Sequence, residues 1–218
     1  MQIGIIGAGN IGGNIARQAA RAGHTLRLSF SRDVAKLQVL ADELGASTGS
    51  PAEAIAFGDV VIVSVPWSVL PDVLAMAGHF QNKVVVDTTN QFGLGPMPAP
   101  GQTAAAFNQT RMPGARYTKC FNTLTAEFQA KTATRPDSER VVQWICGDDS
   151  QAKELVARLV DEMGYAAVDL GGTAACAAME APRRPGAVYG EEYRRAEAAA
   201  VVEAVRNGQP IPRTPVYP

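Results

Sequence analysis

Long hydrophobic runs, paired cysteines and histidines are what this sequence has least of. No stretch of its 218 residues approaches the roughly 18 apolar residues a membrane span needs. The opening apolar residues are broken at once by glycines, so neither a membrane anchor nor a secretory signal is expected. Cys120, Cys146 and Cys176 are odd in number and far apart, with no CxxC pair, and His24 and His79 are too few to complete a zinc site. A disulfide framework and a structural metal are therefore not expected, and a reducing cytoplasm fits best. An excess of charge of either sign is also missing: 20 Lys and Arg stand against 21 Asp and Glu, a formal net charge of -1. Without a basic patch, nucleic acid and anionic membrane are poor partners. What is present is 46% apolar residues, enough for a full core in one domain with a small appendage. Small-molecule chemistry is the class that remains.

Periodicity supplies the architecture. Gln2 to Ile6 reads as a short strand, Ile11 to Ala22 as a helix stopped by Gly23, and Thr25 to Phe30 as a second strand. A helix follows from about Asp33 to Leu44, closed by Gly45, and a shorter one runs from Pro51 until Gly58. "DVVIVSVP" and "KVVVDTT" have no polar alternation, the pattern of parallel strands covered on both faces, and "SVLPDVLAMAG" between them reads as the crossover helix. "ARYTKCFN" and "RVVQWICG" read as further strands, "DSQAKELVARLVDEMG" as an amphipathic helix and "YAAVDLG" as a last strand. This alternation predicts an α/β fold, a Rossmann-type doubly wound and mainly parallel sheet over residues 1–171. A small helical C-terminal appendage, "TAACAAMEA" and "EEYRRAEAAAVVEAVRNG", and a Pro-rich tail occupy 172–218. "NQFGLGPMPAPGQ" has too many Gly and Pro for a regular element, and it follows a strand at the end of the sheet where ligands bind.

The turn "GAGNIG" lies between the first strand and the first helix, the context a dinucleotide-binding turn requires. Gly7 permits the tight turn, Gly9 lets the backbone approach a pyrophosphate, and Gly12 lets helix and strand pack closely. The segment Gly7, Ala8, Gly9, Asn10, Ile11 and Gly12 then offers free N–H groups and the positive end of the helix dipole to the phosphates. At the end of the second strand, where an acidic residue would signal NAD, the chain has "LSFSRD". Ser31 and Arg32 occupy the place of a 2'-phosphate, with Lys36 one turn further on, so NADP(H) is the expected cofactor. Asp33 fits as the N-cap of the next helix under either cofactor.

Several segments together resemble the NADPH:coenzyme F-420 oxidoreductase family, which passes a hydride between NADP(H) and a deazaflavin. They are "IGIIGAGNIG", "SFSRD", "VIVSVPWSVLPDVL", "VVVDTTN", "KCFNT", "CGDDSQAKELVARLVDEMGYAAVDLG" and the "AME" after it, and they span nearly the whole chain. The resemblance implies that Val65, Pro66 and Trp67 line the ribose and nicotinamide half of the cofactor. It implies that Thr88, Thr89 and Asn90, with the stretch from Lys119 to Thr123, border the nicotinamide and the second substrate. Lys119, Asn122, Thr123 and Met179 are thus the candidate acceptor site, and coenzyme F-420 the second cofactor. Cys120 stands where the family usually has Ala, and Thr88 where a smaller residue is more usual. The family also suggests a homodimer, for which the Pro-rich tail would serve as a packing arm.

No catalytic residue is assigned. Hydride transfer between two flat rings needs stacking and close approach, which the cofactors and their orientation supply. His24 and His79 fall outside the C-terminal strand ends and read as surface turn residues, and Cys120 as a small buried apolar residue. Lys119 and Asn122 fit a proton donor and a substrate anchor in a carbonyl or imine reductase, but a strand-end lysine paired with a carboxylate fits equally. Arg183 and Arg184 read either as anchors for an anionic coenzyme tail or as solvated surface. The competing functions are an NADPH-dependent flavin, ferric or small imine or keto-acid reductase, and a non-catalytic NADP(H) sensor.

Overall fold

In a computed structural model that describes residues 1–217, the chain forms one eight-stranded sheet in the order β3-β2-β1-β4-β5-β6-β7-β8. Its first half is β1 (Gln2–Ile6), α1 (Asn10–Arg21), β2 (Thr25–Ser29), α2 (Val34–Leu44), β3 (Ser47–Gly49), α3 (Pro51–Phe57), β4 (Val60–Val63) and α4 (Leu70–Ala77). The second half is β5 (Val84–Asp87), α5 (Ala104–Arg111), β6 (Arg116–Lys119), α6 (Ala126–Thr132), β7 (Val142–Cys146), α7 (Ser150–Glu162), β8 (Ala166–Gly171) and α8 (Arg195–Arg206).

The central strands are apolar at successive positions because successive side chains feed two different cores. Ile3, Ile5, Val60, Ile62, Val84 and Val86 pack under α1, α2 and α7. Ile6, Val61, Val63 and Val85 pack against α3, α4, α5 and α8. Helix boundaries follow short-range chemistry. Asp33 caps α2 by accepting from the Lys36 N–H, and Gly45 closes it in the left-handed region at φ 61°. Ser50 and Glu53 form a capping box at the start of α3. Asp149 caps α7 while accepting two hydrogen bonds from Arg116 at 2.7 and 3.0 Å, which ties that helix to β6.

Strands β1 to β6 are parallel, as expected, but β7 meets β6 antiparallel at Lys119 and Cys146, and β8 then runs parallel to β7. The link after β6 causes the reversal. Gln129 on α6 donates to the carbonyls of Phe121 and Leu124, folding α6 back beside the exit of β6. The chain therefore enters β7 from the edge at which β6 ended.

Beyond β8, a 3-10 turn spans Thr173–Ala178, and residues 191–194 run extended beside β7, where the Val142 N–H donates to the Tyr193 carbonyl, before α8 begins. Cys176, Met179, Val188, Tyr193 and Val201 enter the same core as Val142 and Trp144. The Pro-rich tail runs without regular structure over residues 209–217. It folds back on its own chain: the Tyr193 hydroxyl donates to the Pro212 carbonyl, and the Tyr217 hydroxyl to Glu197. No helix among the described residues is long and apolar enough to cross a membrane.

Candidate functional site

The glycine turn separates what the fold needs from what a ligand needs. A side chain at Gly7 would lie 2.2 Å from the Ser64 carbonyl oxygen, and one at Gly12 would lie 1.9 Å from the Gly7 oxygen. Both glycines therefore serve the contact between β1, β4 and α1. At Gly9 an added Cβ would meet nothing within 4 Å, so no protein contact requires a glycine there. Gly9 is also the N-cap of α1, with no side-chain cap and no acid in the first turn. The first N–H groups of α1 consequently face an opening with no side chain to satisfy them, and a pyrophosphate fits that demand in charge and in hydrogen bonding.

At the end of β2, Phe30 takes a positive φ of 57°, a strained conformation that turns Ser31 and Arg32 outward beside the glycine turn. The Ser31 hydroxyl oxygen accepts from the Asp33 N–H at 3.1 Å. Arg32 is exposed and makes no ion pair among the described residues. Lys36 is 84% exposed at its side chain, with its ammonium 3.7 Å from Asp33. Arg32→Ala should weaken NADPH binding by ~1.5–3 kcal/mol, the range for a hydrogen bond to a charged group, and leave NADH binding nearly unchanged. Titration calorimetry with both nucleotides checks this, and equal losses would remove Arg32 from the 2'-phosphate.

Deeper in the sheet, β5 ends on Asp87, which is fully buried. Its carboxylate accepts from the Tyr117 hydroxyl at 2.6 Å, the Asn108 amide at 2.8 Å, the Thr89 N–H at 2.7 Å and the Lys119 ammonium at 3.4 Å. Burial alone pushes the carboxyl up; the Lys119 charge and these hydrogen bonds outweigh it and hold Asp87 below its ordinary range. Lys119 also donates to the Thr89 carbonyl at 2.6 Å. Of the two roles open to Lys119, the structure shows the internal ion pair.

The other expected acceptor residues are also turned inward. Asn122 donates to the Met179 carbonyl at 2.7 Å and exchanges hydrogen bonds with Asn90 at 2.8 and 3.2 Å. Thr123 and Met179 are buried. These four residues form the floor beneath the carboxyl edge of β5 and β6 rather than its surface. Trp67 is buried as well. It is 2% exposed, donates to the Pro96 carbonyl and stacks on Phe107, so the loop after β5 covers it. Pro66 is exposed and Asn90 partly so, while Val65 and Thr89 are buried behind them.

Among the remaining candidates, Cys120 is buried and its thiol is pushed far up by burial, which excludes a ready nucleophile. Arg183 pairs with Glu191, and Arg184 donates to the carbonyls of Glu180 and Ala177. His79 is exposed as expected. His24 is not a surface residue at its ring: the side chain is 6% exposed, beside Glu162 and the N-terminal amine. Glu180 was not legible as a structural residue. Its buried carboxylate accepts from the N–H groups of Ala104 and Ala105, capping α5 from the far end of the sequence. The "AME" stretch announced that something stood there, but not its partner. No group of His, Cys, Asp and Glu suited to a metal gathers among the described residues. A cavity of about 650 Å³ lies elsewhere, between β8, the following 3-10 turn and α8, at the opposite end of the sheet from the β2 edge.

A doubly wound sheet, a glycine turn open at Gly9 and an exposed Arg32 at the end of β2 are the features of a Rossmann-type nucleotide-binding fold. Residues 2–91 match the family described as NADP oxidoreductase, coenzyme F420-dependent, so the resemblance read from the glycine turn and "SFSRD" is borne out over that stretch. The matched family is one of NADP-using oxidoreductases, which supports NADP(H) as the cofactor. The chain is 24% identical over 180 residues to metalloreductase STEAP3 from Rattus norvegicus, covering 83% of this chain and 36% of that one. It thus spans about a third of the length of this curated relative. Among solved structures, a hypothetical protein from Sinorhizobium meliloti superposes with a TM-score of 0.77 at 28% identity, over 89% of this chain and 95% of the other. A protein from Arthrobacter sp. assigned as an F420-dependent NADP reductase shares the fold over the full length of both chains, with a TM-score of 0.68 at 20% identity.

Proposed function

We propose that the protein transfers a hydride between NADP(H) and a deazaflavin, coenzyme F-420. The observation that carries this reading is the state of the titratable groups at the carboxyl edge. Asp87, Tyr117 and Lys119 are fully enclosed and bonded to one another, so none is free to deliver a proton to a carbonyl or an imine. An edge of this kind can orient two rings and exclude water, and hydride transfer asks little more of the protein.

When bound, NADP(H) supplies the hydride. The N–H groups of α1 and the opening at Gly9 hold its pyrophosphate, Ser31 and Arg32 hold its 2'-phosphate, and Val65, Pro66, Thr89 and Asn90 border its nicotinamide half. Asn90 donates to the Asn122 backbone carbonyl and accepts from the Asn122 side-chain amide, which ties the loops after β5 and β6 together beneath the reacting rings.

Similarity to a metalloreductase favours a second reading, in which NADPH reduces a flavin or a ferric chelate. Following NADPH absorbance anaerobically with the deazaflavin, then FMN, then a ferric chelate separates the two. Turnover with the deazaflavin at least about tenfold above the others in kcat/KM supports the first reading, and turnover with the chelate alone supports the second. Tight NADPH binding with no turnover on any acceptor would make the protein a nucleotide sensor. We place it in a reducing cytoplasm, in keeping with three free thiols, and as a homodimer, which sedimentation tests.

A further inference from the structure

The floor of polar groups under the carboxyl edge is closed, and the residues that stand above it are aromatic. Phe92 follows Asn90 through a tight turn in which the Phe92 N–H donates to the Asn90 carbonyl at 2.8 Å. Its ring is 54% exposed. Tyr189 comes from the distant end of the chain and is fixed on both sides: the Val188 N–H donates to the Ala178 carbonyl, and the Gly190 N–H to the Thr123 carbonyl, each at 2.8 Å. The two rings meet with centroids 6.3 Å apart at an interplanar angle of 59°. Their backbones are joined to those of Asn90 and Thr123, the loops that also carry the Asn90–Asn122 contact.

The geometry points to Phe92 and Tyr189 as an aromatic platform, one ring taking the flat ring of the hydride acceptor face to face and the other, tilted 59° from it, meeting its edge. This inference rests on the hydride-transfer reading above and adds the two side chains that hold the acceptor ring. A nucleotide held at β2 and β1 and bordered by the loop after β4 directs its nicotinamide end toward Asn90, next to this pair. The surrounding surface is apolar as well, since Leu94 is 86% and Met97 52% exposed in the same loop. Large apolar side chains left in water beside a ligand edge mark a surface that a ligand covers. No charged side chain is free on the floor below, because Lys119 and Asp87 are both enclosed. A ring ligand is recognised here through its faces, with the Tyr189 hydroxyl and Arg183, which lies beside Gly190, at its edge.

The test uses the full chain loaded with NADP⁺ and titrated with oxidised deazaflavin and with FMN, reading ligand fluorescence, alongside steady-state turnover. Phe92→Ala and Tyr189→Ala should each raise the acceptor Kd and KM about tenfold, the upper range for losing one aromatic contact. NADPH affinity and the melting temperature of Phe92→Ala should stay at wild-type values, because its ring is exposed. Phe92→Trp and Tyr189→Phe keep a ring and should bind like the wild type. Unchanged ring-ligand affinity in both alanine variants overturns the platform, as does a wild-type protein that binds neither ring. Ring binding that depends on Phe92 and Tyr189 without any turnover upholds the platform and defeats the hydride-transfer reading instead.

Discussion

Replacing Lys119 by methionine is expected to cost about 3–5 kcal/mol of folding stability, the toll of stranding one buried charge, seen as a lower urea midpoint. Asp87 would keep its hydrogen bonds from Tyr117, Asn108 and the Thr89 N–H, but its charge would lose the ammonium that offsets burial. The Thr89 carbonyl would lose a donor as well. Adding Asp87→Asn to the same chain should recover most of the loss, because a neutral amide can still accept from Tyr117 or Asn108 without a buried charge. Turnover per folded molecule should change far less than stability in the double variant. A collapse of kcat with an unchanged urea midpoint would restore Lys119 as a proton donor and sink the structural assignment.

The second large effect separates two glycines three positions apart. Gly12→Ala places a methyl group 1.9 Å from the Gly7 oxygen, and overpacking against backbone should cost about 3 kcal/mol of stability along with nucleotide binding. Gly9→Ala meets no protein atom within 4 Å, and its φ of -76° suits alanine. Its melting temperature should match the wild type, while NADPH affinity falls about 10–100-fold, the equivalent of ~1–3 kcal/mol of crowding against the bound pyrophosphate. Calorimetry and thermal melts on the pair settle whether the space over Gly9 belongs to the ligand. Full NADPH affinity in Gly9→Ala would place the phosphates elsewhere.

The parts of the fold that were legible are those fixed by neighbours in the chain. Asp33 and Gly45 bracket α2, Asp149 starts α7, and the unbroken apolar strands announced two covered faces. Helix α5 was not legible, since "AAAFNQTR" follows a Gly- and Pro-rich run; Thr103 caps it locally, but its first two N–H groups are satisfied by Glu180, 76 and 75 residues away. Strand β3 has only three residues and no apolar alternation. The reversal of β7 depends on Gln129 reaching Phe121 and Leu124, contacts that periodicity does not encode. In the site, the glycine turn was legible because its chemistry is local. The enclosure of Lys119 was not, because a strand-end lysine looks the same in sequence whether a carboxylate 32 residues earlier or solvent receives it. The cover over Trp67 was not legible for the same reason: its indole N–H is held by the Pro96 carbonyl, a partner the sequence does not announce.

The cap that Glu180 places on α5 also sets an order of events during synthesis. Until residue 180 has cleared the ribosome, the N–H groups of Ala104 and Ala105 lack their carboxylate, and the loop over Trp67 lacks a fixed far end. The nucleotide turn draws on earlier residues, from Ser64 beside Gly7 to Ala133 and Tyr165 in the core under α1. A nascent chain halted before Glu180 should therefore already retain NADP(H) while its second substrate edge is still unmade, so that cofactor capture precedes competence.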